Sequence, residues 1–313
     1  MSACLVCGSA QFQQLFLASD RLYGTTPKQF PVVRCGECGL VRLDPQPPPD
    51  ELRQFYPKSY WFAPEEDAAG ELEELYRRVV LRDHVRFVER ALRGAGGRPL
   101  IDAGCGGGLF LGLMRERGFR VAGLDLSSEA ARIAWRRQGV PAVCGTLVNA
   151  PFAPASCAGV AMFHVIEHLV DPRAHLIAAR ALLAPAGRLI VQTPNAASWQ
   201  FRLLGASWNG VDVPRHLFDF RDSDLERLLE SCGFETLRRK YFSLRDNPAG
   251  FASSLAPSLD PMARRVRRIA ESQGARLAKD LLYFAILLAS VPFTVAEAAC
   301  RAGSTIMIEA RKR

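Results

Sequence analysis

From residue 98 onward, short apolar runs alternate with longer stretches in which apolar residues recur every three or four positions. The short runs predict strands at Pro99–Ala103, Arg120–Leu124, Ala142–Cys144, Gly159–Phe163 and Arg188–Thr193. The longer stretches predict helices at Leu109–Arg117, Ser128–Gln138 and Arg173–Leu183. Such alternation predicts a parallel sheet covered by helices on both faces. Pro214–Phe220 then reads as a loop, Asp222–Cys232 as a helix stopped by Gly233, and Phe234–Phe242 as a strand. Residues 246–302 read as a helical insertion before a last β-branched run, Ser304–Ala310. Upstream, Leu72, Leu75, Val79, Val80, Phe87, Val88 and Leu92 predict one helix over 70–95, which Gly94 ends. Before it, Pro45-Gln46-Pro47-Pro48-Pro49 can continue neither helix nor sheet. The pattern divides the chain into a module at 1–44, a linker with helices at 45–97, and an α/β domain at 98–313.

Composition changes this picture little. With 313 residues, 49% apolar and 23% charged, the chain can bury a full core. The run Leu281–Phe293 is shorter than a membrane span, and Pro292 interrupts it. The start, MSACLVCG, lacks a basic segment followed by an apolar one, so the expected location is the cytoplasm. Charge is more informative. Residues 1–260 carry 30 Lys and Arg against 28 Asp and Glu, whereas 261–313 carry 10 against 4. The excess is concentrated in the tail, where Arg264, Arg265, Arg267 and Arg268 precede the apolar run. A solvated helix face accounts for such a cluster. So does a peripheral contact of 264–293 with the inner face of an anionic membrane, which would make the location cytoplasmic but membrane-adjacent. A lid or a homodimer surface is the competing use of the same apolar run.

The candidate chemistry begins at Leu100-Ile101-Asp102-Ala103-Gly104-Cys105-Gly106-Gly107-Gly108. An apolar strand ends in an acid and enters a glycine-rich turn, before a helix whose first backbone N–H groups lack partners. Alone this pattern also fits a structural turn. The next strand, however, ends in Asp125, 17 residues after Gly108. An acid there is placed to accept hydrogen bonds from both ribose hydroxyls, so the pair reads as a nucleoside site.

The nine cysteines include two Cys-x-x-Cys pairs, Cys4 with Cys7 and Cys35 with Cys38, separated by 27 residues. In a reducing compartment, paired thiols of this spacing read as four zinc ligands rather than as disulfides. Gly8 and Gly39, each after a second cysteine, relieve crowding where the backbone turns toward sulfur. Residues 8–34 hold only Arg21, Lys28 and Arg34 as cations, which argues against a nucleic-acid grip.

The stretches LIDAGCGGGLFL, VAGLDLS, FHVIEHLVDP and LLAPAGRLIVQTPN closely resemble class I S-adenosylmethionine-dependent methyltransferases. The resemblance is specific through residue 195 and extends in outline over 98–313. It implies a seven-stranded Rossmann-like sheet, with Asp102, Gly104, Cys105, Gly106 and Gly108 holding the methionine end of S-adenosylmethionine. It also implies Asp125 on the ribose, Leu126, Thr146 and Leu147 around the adenine, and Phe163 and His164 at the reaction centre. Two positions depart from the family pattern: Thr146 and Leu147 stand where many relatives carry an acid, and Cys157-Ala158 where they carry Phe-Asp. The leader, residues 1–61, resembles the zinc-binding leader of bacterial methyltransferases related to sugar C-methyltransferases.

Methyl transfer from a sulfonium needs alignment and, for some acceptors, a proton acceptor. His164, after the fourth strand, His168, and His216, in Pro214-Arg215-His216, are the candidate bases, with core packing or capping as the bland alternative. His164-x-x-Glu167-His168 resembles the turn of quinone O-methyltransferases for which a divalent ion has been suggested; capping is the commoner role of such residues. The expected function is methylation of a small molecule, namely a sugar, glycan or lipid-linked metabolite. One alternative is an RNA methyltransferase using the zinc ribbon and basic tail, although Thr193-Pro194-Asn195 differs from a base-methylating Asn-Pro-Pro-Tyr motif. The other is a cofactor-binding protein without chemistry, which the intact glycine loop and Asp125 argue against.

Overall fold

The computed structural model describes residues 3–56, 68–94 and 97–313. The end of the leader, 57–61, and the side chain of Leu72 lie outside the described residues. In chain order the elements are β1 (Phe12–Ser19), β2 (Gln29–Cys35), β3 (Val41–Leu43), α1 (Pro49–Leu52), α2 (Ala68–Val80) and α3 (Arg82–Ala91). Then follow β4 (Leu100–Ala103), α4 (Leu109–Arg115), β5 (Val121–Asp125), α5 (Ser128–Gln138), β6 (Ala142–Cys144), β7 (Cys157–Phe163), α6 (Pro172–Leu182) and β8 (Leu183–Pro194). The remainder comprises α7 (Trp199–Leu204), β9 (Phe218–Asp219), α8 (Asp222–Ser231), β10 (Phe234–Lys240), α9 (Asn247–Leu255), α10 (Pro261–Val266), α11 (Gln273–Ala299) and β11 (Thr305–Lys312).

Two compact units result, and neither is continuous in sequence. One comprises 61–193, 226–245 and 307–313. Its sheet has the order β10-β11-β8-β7-β4-β5-β6. β8, β7, β4, β5 and β6 pair in parallel, while β10 and β11 pair antiparallel, as in a Rossmann-like methyltransferase sheet. Strands β4 and β7 are almost wholly buried, which explains their continuous apolar character. The core packs Val85 and Val88 of α3 with Phe110, Leu113 and Met114 of α4 against Leu100, Ala161 and Ile190 of the sheet. The predicted helix over 70–95 is in fact two: α2 ends at Val80, and Leu81 joins it to α3. Apolar periodicity continues across that joint, so spacing alone does not reveal it.

The other unit comprises 1–60, 194–225 and 246–306. Its sheet has the order β1-β2-β3-β9. Strand β9, inside the segment read as a loop, pairs Asp219 and Phe218 with Val41 and Arg42. At two residues it is too short to carry a periodic signal. The insertion is helical, as its pattern predicts. Pro292, however, does not end the helix there. α11 runs unbroken for 27 residues, and by length and composition it could cross a membrane. Proline inside a helix costs about 3 kcal/mol, and packing along α9 offsets that locally.

Candidate functional site

The glycine turn lies at the carboxyl end of β4. Gly104, Gly106 and Gly108 all have positive φ, at 78°, 51° and 77°. Two of them are also fixed by neighbours. A Cβ at Gly104 would sit 2.5 Å from Val165 Cγ2, and one at Gly108 would sit 2.8 Å from Ala134 Cβ. Gly106 differs: a Cβ there would meet nothing within 4 Å, so its backbone borders open space. The turn is tied to β5 by Gly104 N and Cys105 N, which donate to Leu124 O at 2.7 and 3.0 Å.

Asp125, at the end of β5, closes the ring. Its Oδ2 accepts from Gly106 N at 2.9 Å and its Oδ1 from Ser127 N at 2.8 Å. Ser127 then caps α5 through Ala130 N. Asp102 is buried beside the turn, and its Oδ1 has no hydrogen-bond partner among the described residues. Burial, and then the charge of Asp125, push the Asp102 carboxyl well above the usual carboxylate range, with Arg245 opposing. Burial also raises Asp125, against the hydrogen bonds from Ser127 and Gly106. The turn thus gathers two buried carboxyl groups, and the Arg245 cation acts on Asp102. Beyond Asp125, Leu126 is exposed, Thr146 precedes a single 3-10 turn (Leu147–Asn149) and Leu147 is buried. Phe163, at the end of β7, packs edge-to-face on Phe110 and His84, with centroids 4.9 and 5.2 Å apart. His164 follows in a left-handed conformation, φ 54°, that non-glycine residues rarely adopt. Its Nδ1 lies 3.2 Å from Glu167 Oε1 and its Nε2 lies 2.9 Å from Gln192 Nε2. Because the amide nitrogen can only donate, this network assigns the proton to Nδ1.

In the other unit, Pro214-Arg215-His216 surrounds a charge cluster that the sequence does not reveal. Arg215 is fully buried and forks onto two carboxylates. It donates to Asp20 Oδ1 and Oδ2 at 2.8 and 3.1 Å, and to Asp212 Oδ1 and Oδ2 at 2.6 and 3.0 Å. Its Nη1 also reaches Phe55 O, and the guanidinium stacks over Tyr23. Burial acts to raise Asp20, but Arg215 and Thr25 hold it down at about 2. His216 Nδ1 lies 2.7 Å from Gly210 O, which makes Nδ1 the donor. A small cleft of mixed character adjoins this cluster, lined by Arg21, Asn209 and Asp212 and by the apolar Leu22, Trp208 and Val213. Asp20 lies 195 residues from Arg215, so only the tertiary structure brings them together.

Also in that unit, Cys4, Cys7, Cys35 and Cys38 bring their sulfurs within 4.8 Å of one another. Cys4 and Cys38, and Cys7 and Cys35, are 3.5 Å apart at sulfur. Four thiolates around zinc at about 2.3 Å stand roughly 3.8 Å apart, so the donor set and spacing fit that ion. Each knuckle turns through a glycine of positive φ, Gly8 or Gly39, whose N–H donates to the carbonyl of the Cys four residues earlier. Arg221 braces the second knuckle by donating to Cys38 O while it pairs with Asp224.

A seven-stranded sheet of order β10-β11-β8-β7-β4-β5-β6, five strands parallel and β10 antiparallel to β11, with a glycine turn after β4 and a buried acid ending β5, has the architecture of a class I methyltransferase. Residues 72–238 match the family model described as a methyltransferase domain. A probable S-adenosylmethionine-dependent methyltransferase of Mycolicibacterium smegmatis is 32% identical over 216 residues, covering 67% of this chain and 76% of the relative. A ubiquinone biosynthesis O-methyltransferase of Idiomarina loihiensis is 28% identical over 202 residues, covering 60% and 81%. Among solved structures, a SAM-dependent methyltransferase from Archaeoglobus fulgidus aligns with a TM-score of 0.49 at 19% identity, covering 79% of this chain and all of the other. The chain belongs to the methyltransferase-domain family and is an S-adenosylmethionine-dependent methyltransferase.

Proposed function

We propose that this enzyme methylates a small molecule, specifically a sugar, glycan or lipid-linked metabolite, in the cytoplasm. The observation that carries the cofactor half is the pair of buried carboxylates, Asp102 and Asp125, around a turn open at Gly106. S-adenosylmethionine supplies the methyl group on a sulfonium, and its positive charge would complement this pair of carboxyl groups. Asp102 with Gly104, Cys105, Gly106 and Gly108 would hold its amino-acid end, and Asp125 its ribose. Exposed Leu126 with Thr146 and Leu147 would border the adenine, and Phe163 with His164 the reacting centre. The name of the Idiomarina relative, an O-methyltransferase of ubiquinone biosynthesis, supports a small-molecule acceptor.

His216 is the proposed proton acceptor. The Nδ1–H bond to Gly210 O fixes the ring, and Nε2 lies 4.0 Å from Asp212 Oδ2. His164, bonded at both nitrogens, would shape the end of β7. Cys4, Cys7, Cys35 and Cys38 would hold one structural zinc ion, in keeping with a reducing compartment. A screen of sugar and lipid-linked acceptors with methyl-labelled cofactor tests the reading. With the acceptor so found, His216→Ala is expected to lower turnover by about 10²–10⁴-fold and to leave cofactor affinity unchanged. Wild-type turnover in that variant would remove the base.

A further inference from the structure

Helix α11 is built inside out. The side chains it buries are Tyr283, Ser290, Thr294 and Glu297. At about 100° per residue these four fall within roughly 60° of one another. All of them are polar and three bond across the unit. Tyr283 OH bonds Ser253 Oγ and donates to Ala249 O, Ser290 Oγ donates to Pro248 O, and Glu297 accepts from Gln200 and Ser304. The opposite face carries Leu277, Leu281, Phe284, Leu288 and Val295, each between 48% and 61% exposed. Those five also span about 60°. No charged residue occurs from 281 to 296. A helix in water places its apolar stripe against the core. This one places it outside.

The charges around this face point to its occupant. Arg264 is not part of an open basic patch. It is buried and pairs with Glu271 and Asp280, while Lys279 also pairs with Glu271. Arg267 donates to the carbonyls of Leu22 and Arg21. What remains exposed is Arg268 and Arg276 near the start of α11 and Arg301 just after its end, none of them in an ion pair among the described residues. Glu297, the one other acid of the segment, is buried. Either two-fold pairing of α11 with a second copy would set cations against cations, whether the helices ran parallel or antiparallel. An anionic lipid surface complements both ends and accepts the leucine stripe between them.

We propose that α11 lies in the plane of an anionic membrane surface, with Leu277, Leu281, Phe284, Leu288 and Val295 inserted and Arg268, Arg276 and Arg301 at the headgroups. The inward hydrogen bonds of Tyr283, Ser290 and Glu297 keep the helix on the unit, so it lies along the surface rather than crossing it. The inference is independent of which acceptor is methylated.

Flotation of the full-length protein with vesicles of phosphatidylcholine alone, or with added phosphatidylglycerol, tests it, with solution mass measured in parallel. Binding is expected only with phosphatidylglycerol, and it should weaken at least tenfold on raising salt. The double variant Leu281→Gln/Leu288→Gln alters exposed positions only; it should bind vesicles at least tenfold more weakly and keep wild-type cofactor affinity. In Phe284→Trp, indole emission should shift to the blue when anionic vesicles are added. Failure of the wild-type protein to float with phosphatidylglycerol at low salt would overturn the proposal. So would a dimer that stays off vesicles and dissociates in the double variant, which would assign the stripe to a second copy.

Discussion

At Arg215 a single side chain balances two buried carboxylates. Replacing it with Met would leave Asp20 and Asp212 buried without their cation. Breaking a buried pair in this way costs about 3–5 kcal/mol, so Arg215→Met should lower the denaturation midpoint strongly. A variant as stable as wild type would show that the cluster is dispensable. The same cluster sets an acid limit. The Asp20 carboxyl is held at about 2, below its unfolded value of 3.8. Its stabilisation is therefore complete above the unfolded value and is lost as pH falls through the folded one. Asp20→Asn should flatten the acid limb of a stability–pH curve in that window. The sequence marked Arg215 only as a neighbour of His216. Nothing in local spacing reveals a partner 195 residues away.

Elements differ in how plainly the sequence announces them. The strand ending in Asp102, the glycine turn and the strand ending in Asp125 are legible because each function needs a residue type at a fixed place: glycine where φ is positive, an acid at a strand end. Strand β9 is not legible, because two residues cannot show a period. The joint at Leu81 is hidden because the apolar stripe continues through it. Helix α11 is legible as apolar, but its orientation is not, since only tertiary contacts show that the polar stripe faces inward. That orientation has a consequence at Glu297. Burial pushes its carboxyl up to about 7, against the hydrogen bonds from Gln200 and Ser304. Between the unfolded value of 4.5 and about 7 the folded state holds a proton that the unfolded chain releases, so stability should fall as pH rises through that window. Glu297→Gln keeps an acceptor oxygen and should remove this slope. Melting temperatures at pH 5 and pH 8 check it, and equal slopes in the two proteins would contradict the assignment.

For the whole molecule, neither compact unit is a continuous stretch of chain. Residues 194–225 and 246–306 join the N-terminal module, whereas 226–245 and 307–313 belong with the cofactor sheet. A linear reading finds the segments but not their grouping, because grouping is decided by contacts of long sequence separation. The cysteine cluster lies in the N-terminal module's unit, and its four sulfurs lie at a spacing that suits one ion. Protein purified without chelator is therefore expected to carry one equivalent of zinc, and Cys4→Ser well under one. The variant should keep cofactor affinity, because the glycine turn belongs to the other unit. Sub-stoichiometric metal in the wild-type protein would leave the four cysteines without that role.

We propose that the turn between Asp102 and Gly108, closed by Asp125, holds S-adenosylmethionine. Asp125 uses both oxygens to position Gly106 and Ser127, and its remaining lone pairs would meet the ribose. Loss of charge-assisted hydrogen bonds worth about 1.5–3 kcal/mol each reduces binding at least tenfold. Calorimetric titration of S-adenosylmethionine into the wild-type protein and into Asp125→Ala measures this directly. Saturable binding to the wild-type protein is expected, with a dissociation constant at least ten times higher in the variant. An unchanged constant, or no binding by the wild-type protein, would contradict it.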